Sequence, residues 1–275
     1  MRARIWILVA VLCAGLPLRA DADTIYLSTA SNASLGGLSF RNADIVRYDT
    51  VTGTASLFFD EDRFANNEDV DGFSLLPNGH LLLSTKSTAT LGGLTFEDGD
   101  IVEYDPVANS AVPYFSESKF TTNVNVDGFA VLPNGHLLLS TAGNATLGGL
   151  SFRDGDLAEY DRTTGFATLY FSENHFAANE DIDAVSVLPN GSIILSTTND
   201  ATLGGVSFHA DDLVQWFPAT NTASLYFSGS QFAANENIDA VLVVVPEPGS
   251  ASLCLLGLAL FAARRRARRR PAGSF

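Results

Sequence analysis

Four times along the chain, oxygen-bearing side chains recur at alternate positions just ahead of a β-rich run. The sets are Asn67, Asp69 and Asp71; Asn123, Asn125 and Asp127; Asn179, Asp181 and Asp183; and Asn235, Asn237 and Asp239. Carboxylate and amide oxygens are hard donors, and a spacing of two lets successive ones turn toward one point. The chemistry this suits is coordination of a divalent cation through oxygen alone. The same residue types also cap loop amides two or three residues on, so the pattern has a purely structural alternative. A further set, Asp44, Asp100, Asp156 and Asp212, keeps the same period. Cys13 and Cys254 lie near the two ends, which leaves no thiolate between residues 23 and 245 for metal or catalysis.

Oxygens at i, i+2 and i+4 resemble the opening half of D-x-D-x-D-G calcium loops, and the ion this resemblance implies is calcium. The match is partial. Asn78, Asn134 and Asn190 stand where such a loop closes on a bidentate Glu, and Ala184 and Ala240 replace the glycine kept at Gly72 and Gly128. Catalysis needs dissimilar groups converging on one atom, whereas near-identical repeats supply the same group several times. No G-x-S-x-G or H-E-x-x-H motif is present. A non-catalytic module is therefore expected, with a purely structural matrix protein as the alternative and a metal-dependent lactonase-type propeller as a lesser one. His80 and His136 recur, but Ser192 takes the third place, so no histidine ring forms.

The elements that must position these residues repeat with one period. Leu35-Gly36-Gly37 returns at Leu91, Leu147 and Leu203, and Ser28-Thr29 returns at Ser84, Ser140 and Ser196, always 56 residues on. Each copy holds four strand signals, among them a hairpin marked by Pro77-Asn78-Gly79 and an apolar Leu81-Leu82-Leu83. Four antiparallel strands per repeat make the blade of an all-β propeller. The repeats begin at a second strand, Thr24 to Thr29, and end at a first strand, Ile238 to Val244. Pairing those two completes a blade and leaves no free edge, which favours a closed ring of four blades. A dimer forming eight blades, a sandwich and a solenoid are the competitors. Antiparallel order then gathers the long loops, with every recurrent Asn and Asp, on one face.

Charge is unevenly spread. The formal net charge is −15, yet the two ends hold nine of the 16 basic residues and only Asp21 and Glu247 of the 31 acids. Residues 23–245 thus carry seven basic and 29 acidic residues, a net charge of −22. Such a surface repels nucleic acid and anionic lipid.

The ends read as targeting segments. Residues 1–22 have a basic start, an apolar run from Ile5 to Leu16 and an Ala20-Asp21-Ala22 ending, the three regions of a secretory signal peptide. Residues 246–275 follow a different logic. Val245-Pro246-Glu247-Pro248 stops a strand, an apolar stretch follows to Ala263, and Arg264, Arg265, Arg266, Arg268, Arg269 and Arg270 close it. Arginines hold the far end of an inserted helix in the cytoplasm. The arrangement resembles a PEP-CTERM sorting signal. That resemblance implies an exosortase-type processing enzyme as partner, transient anchoring in the inner membrane, exopolysaccharide as matrix company, and a place at the cell surface. Protein recovered from the surface of its native host is then expected to lack both residues 1–22 and the arginine cluster. Intact-mass spectrometry checks this, and full retention of Arg264 to Arg270 would contradict it.

Overall fold

Pro77-Asn78-Gly79 and its copies turn the chain because glycine takes the left-handed backbone that other residues avoid: φ is +85° at Gly79, +83° at Gly135 and +81° at Gly191. The carboxamide oxygen of Asn78 accepts from the His80 amide at 3.0 Å, and Leu76 N donates to His80 O at 2.9 Å. Each turn therefore joins an innermost strand to a second strand in tight register. The computed structural model describes residues 23–246. The leader and the tail from Glu247 onward, with the arginine cluster, lie outside the described residues. Among the described residues, no helix is long and apolar enough to cross a membrane.

Four antiparallel sheets of four strands form the blades. From the axis outward, one runs Val70–Leu75, Leu81–Thr85, Ile101–Asp105 and Ser110–Phe115. The next runs Gly128–Val131, Leu137–Ser140, Leu157–Tyr160 and Ala167–Phe171. The third has Ala184–Val187, Ile193–Ser196, Leu213–Phe217 and Thr222–Phe227. The last is composite: Ile238–Val244 pairs with Thr24–Thr29, with Thr24 opposite Val244 and Ser28 opposite Ala240, followed by Ile45–Asp49 and Thr54–Phe59. Each innermost strand packs against the innermost strands of both neighbouring blades, so the ring closes as a four-bladed β-propeller.

Edge-to-face aromatic pairs join the blades. The last residue of each outermost strand is a phenylalanine that meets an aromatic of the next blade. The partners are Phe59 with Tyr104, Phe115 with Tyr160, Phe171 with Trp216 and Phe227 with Tyr48, at centroid distances of 5.9, 5.5, 5.9 and 5.6 Å. Such pairs contribute roughly 0.5–1.5 kcal/mol each beyond the area they bury.

The long loop after each second strand contains more structure than the four-strand reading allowed. Leu-Gly-Gly is the turn of a small hairpin, as in Ala89–Leu91 with Leu94–Phe96. Both glycines have positive φ, +55° and +83° at Gly92 and Gly93. A Cβ on Gly92 would sit 2.6 Å from the Ala111 amide of the outermost strand, so only glycine fits. These hairpins staple neighbours: Thr90 O accepts from Ala65 N at 2.9 Å, on the connection arriving from the preceding blade. Strands of three residues are too short to show a period, which is why they escape a pattern search.

Removing the innermost strand of the composite blade exposes an edge on Thr24–Thr29 and uncovers its two neighbours. A chain ending at Asn237 also loses buried Ile238, Ala240, Val241 and Val243. Large truncations of single core residues already cost roughly 2–5 kcal/mol, so the whole ring is expected to melt earlier, in one transition. Thermal unfolding checks this; an unchanged midpoint would show the strand to be peripheral.

Candidate metal centre

The connection from each outermost strand to the next innermost strand begins with a single 3-10 turn, capped by Asp60, Ser116, Ser172 or Ser228. The Asp44 set anchors it. Asp44 accepts from Arg41 N and Glu61 N, both at 2.9 Å, and Asp100, Asp156 and Asp212 accept from Glu117, Glu173 and Gly229 amides at 2.9, 2.8 and 2.8 Å. These four carboxylates are loop caps, the structural half of the two readings the sequence left open.

Beyond the turn, Asn67, Asn123, Asn179 and Asn235 are exposed. The next backbone carbonyls clamp the segment to the neighbouring loop. Asp69 O accepts from Lys86 N, Asn125 O from Ala142 N, Asp181 O from Thr198 N and Asn237 O from Ala30 N, at 3.0, 3.2, 3.0 and 3.0 Å. Residues two apart along extended chain share a face. Asp69, Asn125, Asp181 and Asn237 therefore form a partly buried outer tier, and Asp71, Asp127, Asp183 and Asp239 an inner tier beneath it. The four loops do not make four separate sites; eight of the twelve candidate residues make one ring about the axis.

The ring is crowded with acceptors. Asp71, Asp183 and Asp239 are 2, 4 and 5% exposed. Oxygens of Asp69, Asp71 and Asp239 lie within 4.8 Å of one another, close enough to hold a metal ion. Asn125 Nδ2 donates to Asp71 Oδ2 across a blade boundary at 2.9 Å. Both carboxylate oxygens of Asp183 have no hydrogen-bond partner, and neither do Asp69 Oδ1, Asp181 Oδ1, Asp239 Oδ2, or the amide oxygens of Asn125 and Asn237. Buried polar atoms are normally partnered, so orphans clustered on an axis mark a place for a proton, a water or an ion.

Burial, followed by mutual repulsion, makes these carboxyls weaker acids. Asp71 and Asp183 are pushed well above the ordinary carboxylate range by burial and by the carboxylates facing them. Asp239 is pushed to about 8 and Asp181 to about 7, in both cases by burial first. Asp69 and Asp127 are raised to about 6 by burial, against the pull of Lys86. A dry, acidic, oxygen-only ring of this kind is unstable as bare anions. Protonation relieves that cost.

Two members of the neighbourhood escaped the sequence reading. Lys86 Nζ lies 3.7 Å from Asp69 Oδ2, and Asn42 Nδ2 donates to the backbone carbonyl of the adjacent Glu68 at 3.1 Å. The available signal was departure from the repeat: Lys86 stands where the other copies have Ala30, Ala142 and Thr198, and Asn42 where they have Asp98, Asp154 and Ala210. The four copies are not equivalent around the axis. Position i+2 alternates Asp69, Asn125, Asp181, Asn237, so the ring has approximate twofold symmetry.

No curated protein matches the chain. Among solved structures it is similar to the extracellular domain of a hybrid two-component system from B. thetaiotaomicron (13% identity, TM-score 0.31, 78% of this chain and 24% of that one). It is also similar to a protein of unknown function from Bacteroides caccae (8% identity, TM-score 0.37, covering 82% and 100%). A third similarity is to a catalytically inactive virginiamycin B lyase from Staphylococcus aureus (11% identity, TM-score 0.35, covering 73% and 68%). The chain spans about a quarter of the length of the first of these. Extracellular domains, proteins of unknown function and a lyase thus all stand among the similar structures. Residues 244–270 match the PEP-CTERM protein-sorting motif, which marks the chain as an exported cell-surface protein whose C-terminal tail is the recognition signal for exosortase processing.

Proposed function

We propose that the protein is a non-catalytic surface module whose axial ring binds a divalent cation, calcium before magnesium. The observation that carries this reading is the set of buried, unpartnered oxygens around Asp183, Asp181 and Asp239. Every donor is oxygen, which suits a hard ion, and the irregular two-tier arrangement suits the larger one, since magnesium demands near-ideal octahedra. The same ring lacks the nucleophile-and-base pairing that turnover requires. A matrix polysaccharide is the expected company of the loop face, and sugar arrays read with and without calcium test that part separately.

Calorimetry at matched ionic strength should show calcium heat, and melting should shift upward. A ligand of the native state adds about 2.7 kcal/mol at a hundredfold excess over its dissociation constant. Asp183→Asn should abolish the heat, because it removes the buried carboxylate whose two oxygens have no partner. Absence of heat in the unaltered protein would leave the ring as a set of internal hydrogen-bond acceptors.

The pH dependence has a definite sign. These carboxyls titrate near 3.8 when unfolded and at about 6 to 8 in the fold, so between those values the folded state holds more protons. Stability is then present below the unfolded value and is lost as pH rises through the folded ones. With chelator present, the midpoint is expected to fall by roughly 5 °C from pH 5 to pH 8.5, the shift about 2 kcal/mol makes in a chain of this size. Calcium should remove most of that fall, since it binds the ionised ring. A chelated midpoint that is flat or rises over this range would contradict the buried-acid account.

A further inference from the structure

Strand direction separates two unlike faces. Val244, Thr24, Asp49 and Thr54 pair in one row across the composite blade, so the chain enters the ring and leaves it at adjacent residues. That row lies at the end of the blades that carries the short turns. The long loops, with the axial carboxylates, lie at the other end. The seven-residue strand Ile238–Val244 sets the two ends roughly 20 Å apart before the loops are counted.

Apolar and acidic groups are divided between these ends. Val51, Val107 and Phe166 are 65, 94 and 70% exposed, and each stands in the turn between the third and outermost strands of a different blade. The opening aspartate fixes the turn: Asp49 Oδ1 accepts from Val51 N and Thr52 N at 2.9 and 2.8 Å, and Asp105 Oδ1 from Val107 N and Ala108 N at 2.8 and 3.0 Å. Leu75 and Val244 add exposed apolar surface at the same end. Other exposed large hydrophobics line the outermost strands, and among the described residues none lies on the long-loop face. The acids show the reverse. Of the 29 in residues 23–245, all but Asp23, Asp49, Glu103, Asp105, Glu159 and Asp161 lie in or beside the long loops.

We propose that, while its C-terminal tail is anchored, the protein rests its short-turn face on the lipid bilayer, with Val51, Val107 and Phe166 in the headgroup layer and the axial ring pointing outward. The sorting tail holds the chain in the membrane until exosortase processing. From Val244 to Gly249, where the apolar stretch opens, the chain reaches at most about 18 Å. That reach cannot bring the far, acidic face against the bilayer, but it brings the short-turn face there directly. Apolar tips on a face relieved of most of the negative charge suit a membrane interface. The contact is apolar, so it does not depend on anionic lipid.

Labels on the two faces test the orientation. The full chain, carrying Cys13→Ser and Cys254→Ser, is reconstituted into phosphatidylcholine vesicles with an environment-sensitive fluorophore on one introduced cysteine. Labels at Val51→Cys and Val107→Cys are expected to shift to shorter wavelength and to be quenched at least twofold by a lipid spin-labelled in its headgroup. Labels at Asn67→Cys and Asn179→Cys, on the long-loop face, should keep the spectrum they have in water. Adding Val107→Ser and Phe166→Ser to the Val51→Cys protein should remove most of its quenching without changing the melting temperature. Equal quenching on both faces, quenching confined to the long-loop face, or none on either overturns the proposal. None of these results bears on calcium binding, which calorimetry reads separately.

Discussion

Four innermost strands meeting at one axis impose the constraint from which the rest follows. Side chains there have little room, and the chain answers with paired substitutions. Gly72 leaves space that Phe129 of the next blade fills; a Cβ at Gly72 would lie 2.4 Å from the Phe129 ring. Where glycine gives way to Ala184 and Ala240, the following residue shrinks from phenylalanine to Val185 and Val241. Closure depends on the same crowding, since Ile238–Val244 supplies a quarter of that inner wall. An open array would have no reason to keep the volumes matched.

Crowding also explains why the polar loops converge on the axis. Each loop delivers two oxygen-bearing side chains two residues apart just before the strand narrows toward the axis, so four loops bring them toward one place. Burial there raises the free energy of every anion, and each neighbour raises it further. Asn125, by donating to Asp71 across the blade boundary, offsets part of that cost and links two blades in doing so. The ring is strained as bare anions, and whatever neutralises it relieves that strain.

The periphery works differently. The edge-to-face pairs and the Leu-Gly-Gly hairpins repeat with little variation and join each blade to the next, independent of charge. Departures from repetition concentrate instead around the axis, at Lys86, Asn42 and the alternating i+2 position. The result is a repeated frame around an unrepeated centre.

Much of this was legible in the residues themselves. The 56-residue period, the hairpin at Pro77-Asn78-Gly79 and the offset of Thr24 to Thr29 against Ile238 to Val244 state a closed four-bladed ring, because hydrophobic alternation and turn chemistry are local properties. The sorting motif was equally plain, being a linear arrangement. The hairpins at the glycine pairs were not, since three-residue strands carry no period and the close approach of Gly92 to Ala111 is a tertiary contact. Nor could spacing alone separate Asn67, which is exposed, from Asp69 and Asp71, which turn inward, or distinguish the capping Asp44 set from the axial one. Those roles depend on which backbone amides and which other loops come within reach of each oxygen. Only the closed ring determines that, because it brings residues about 56 and 112 positions apart face to face across the axis.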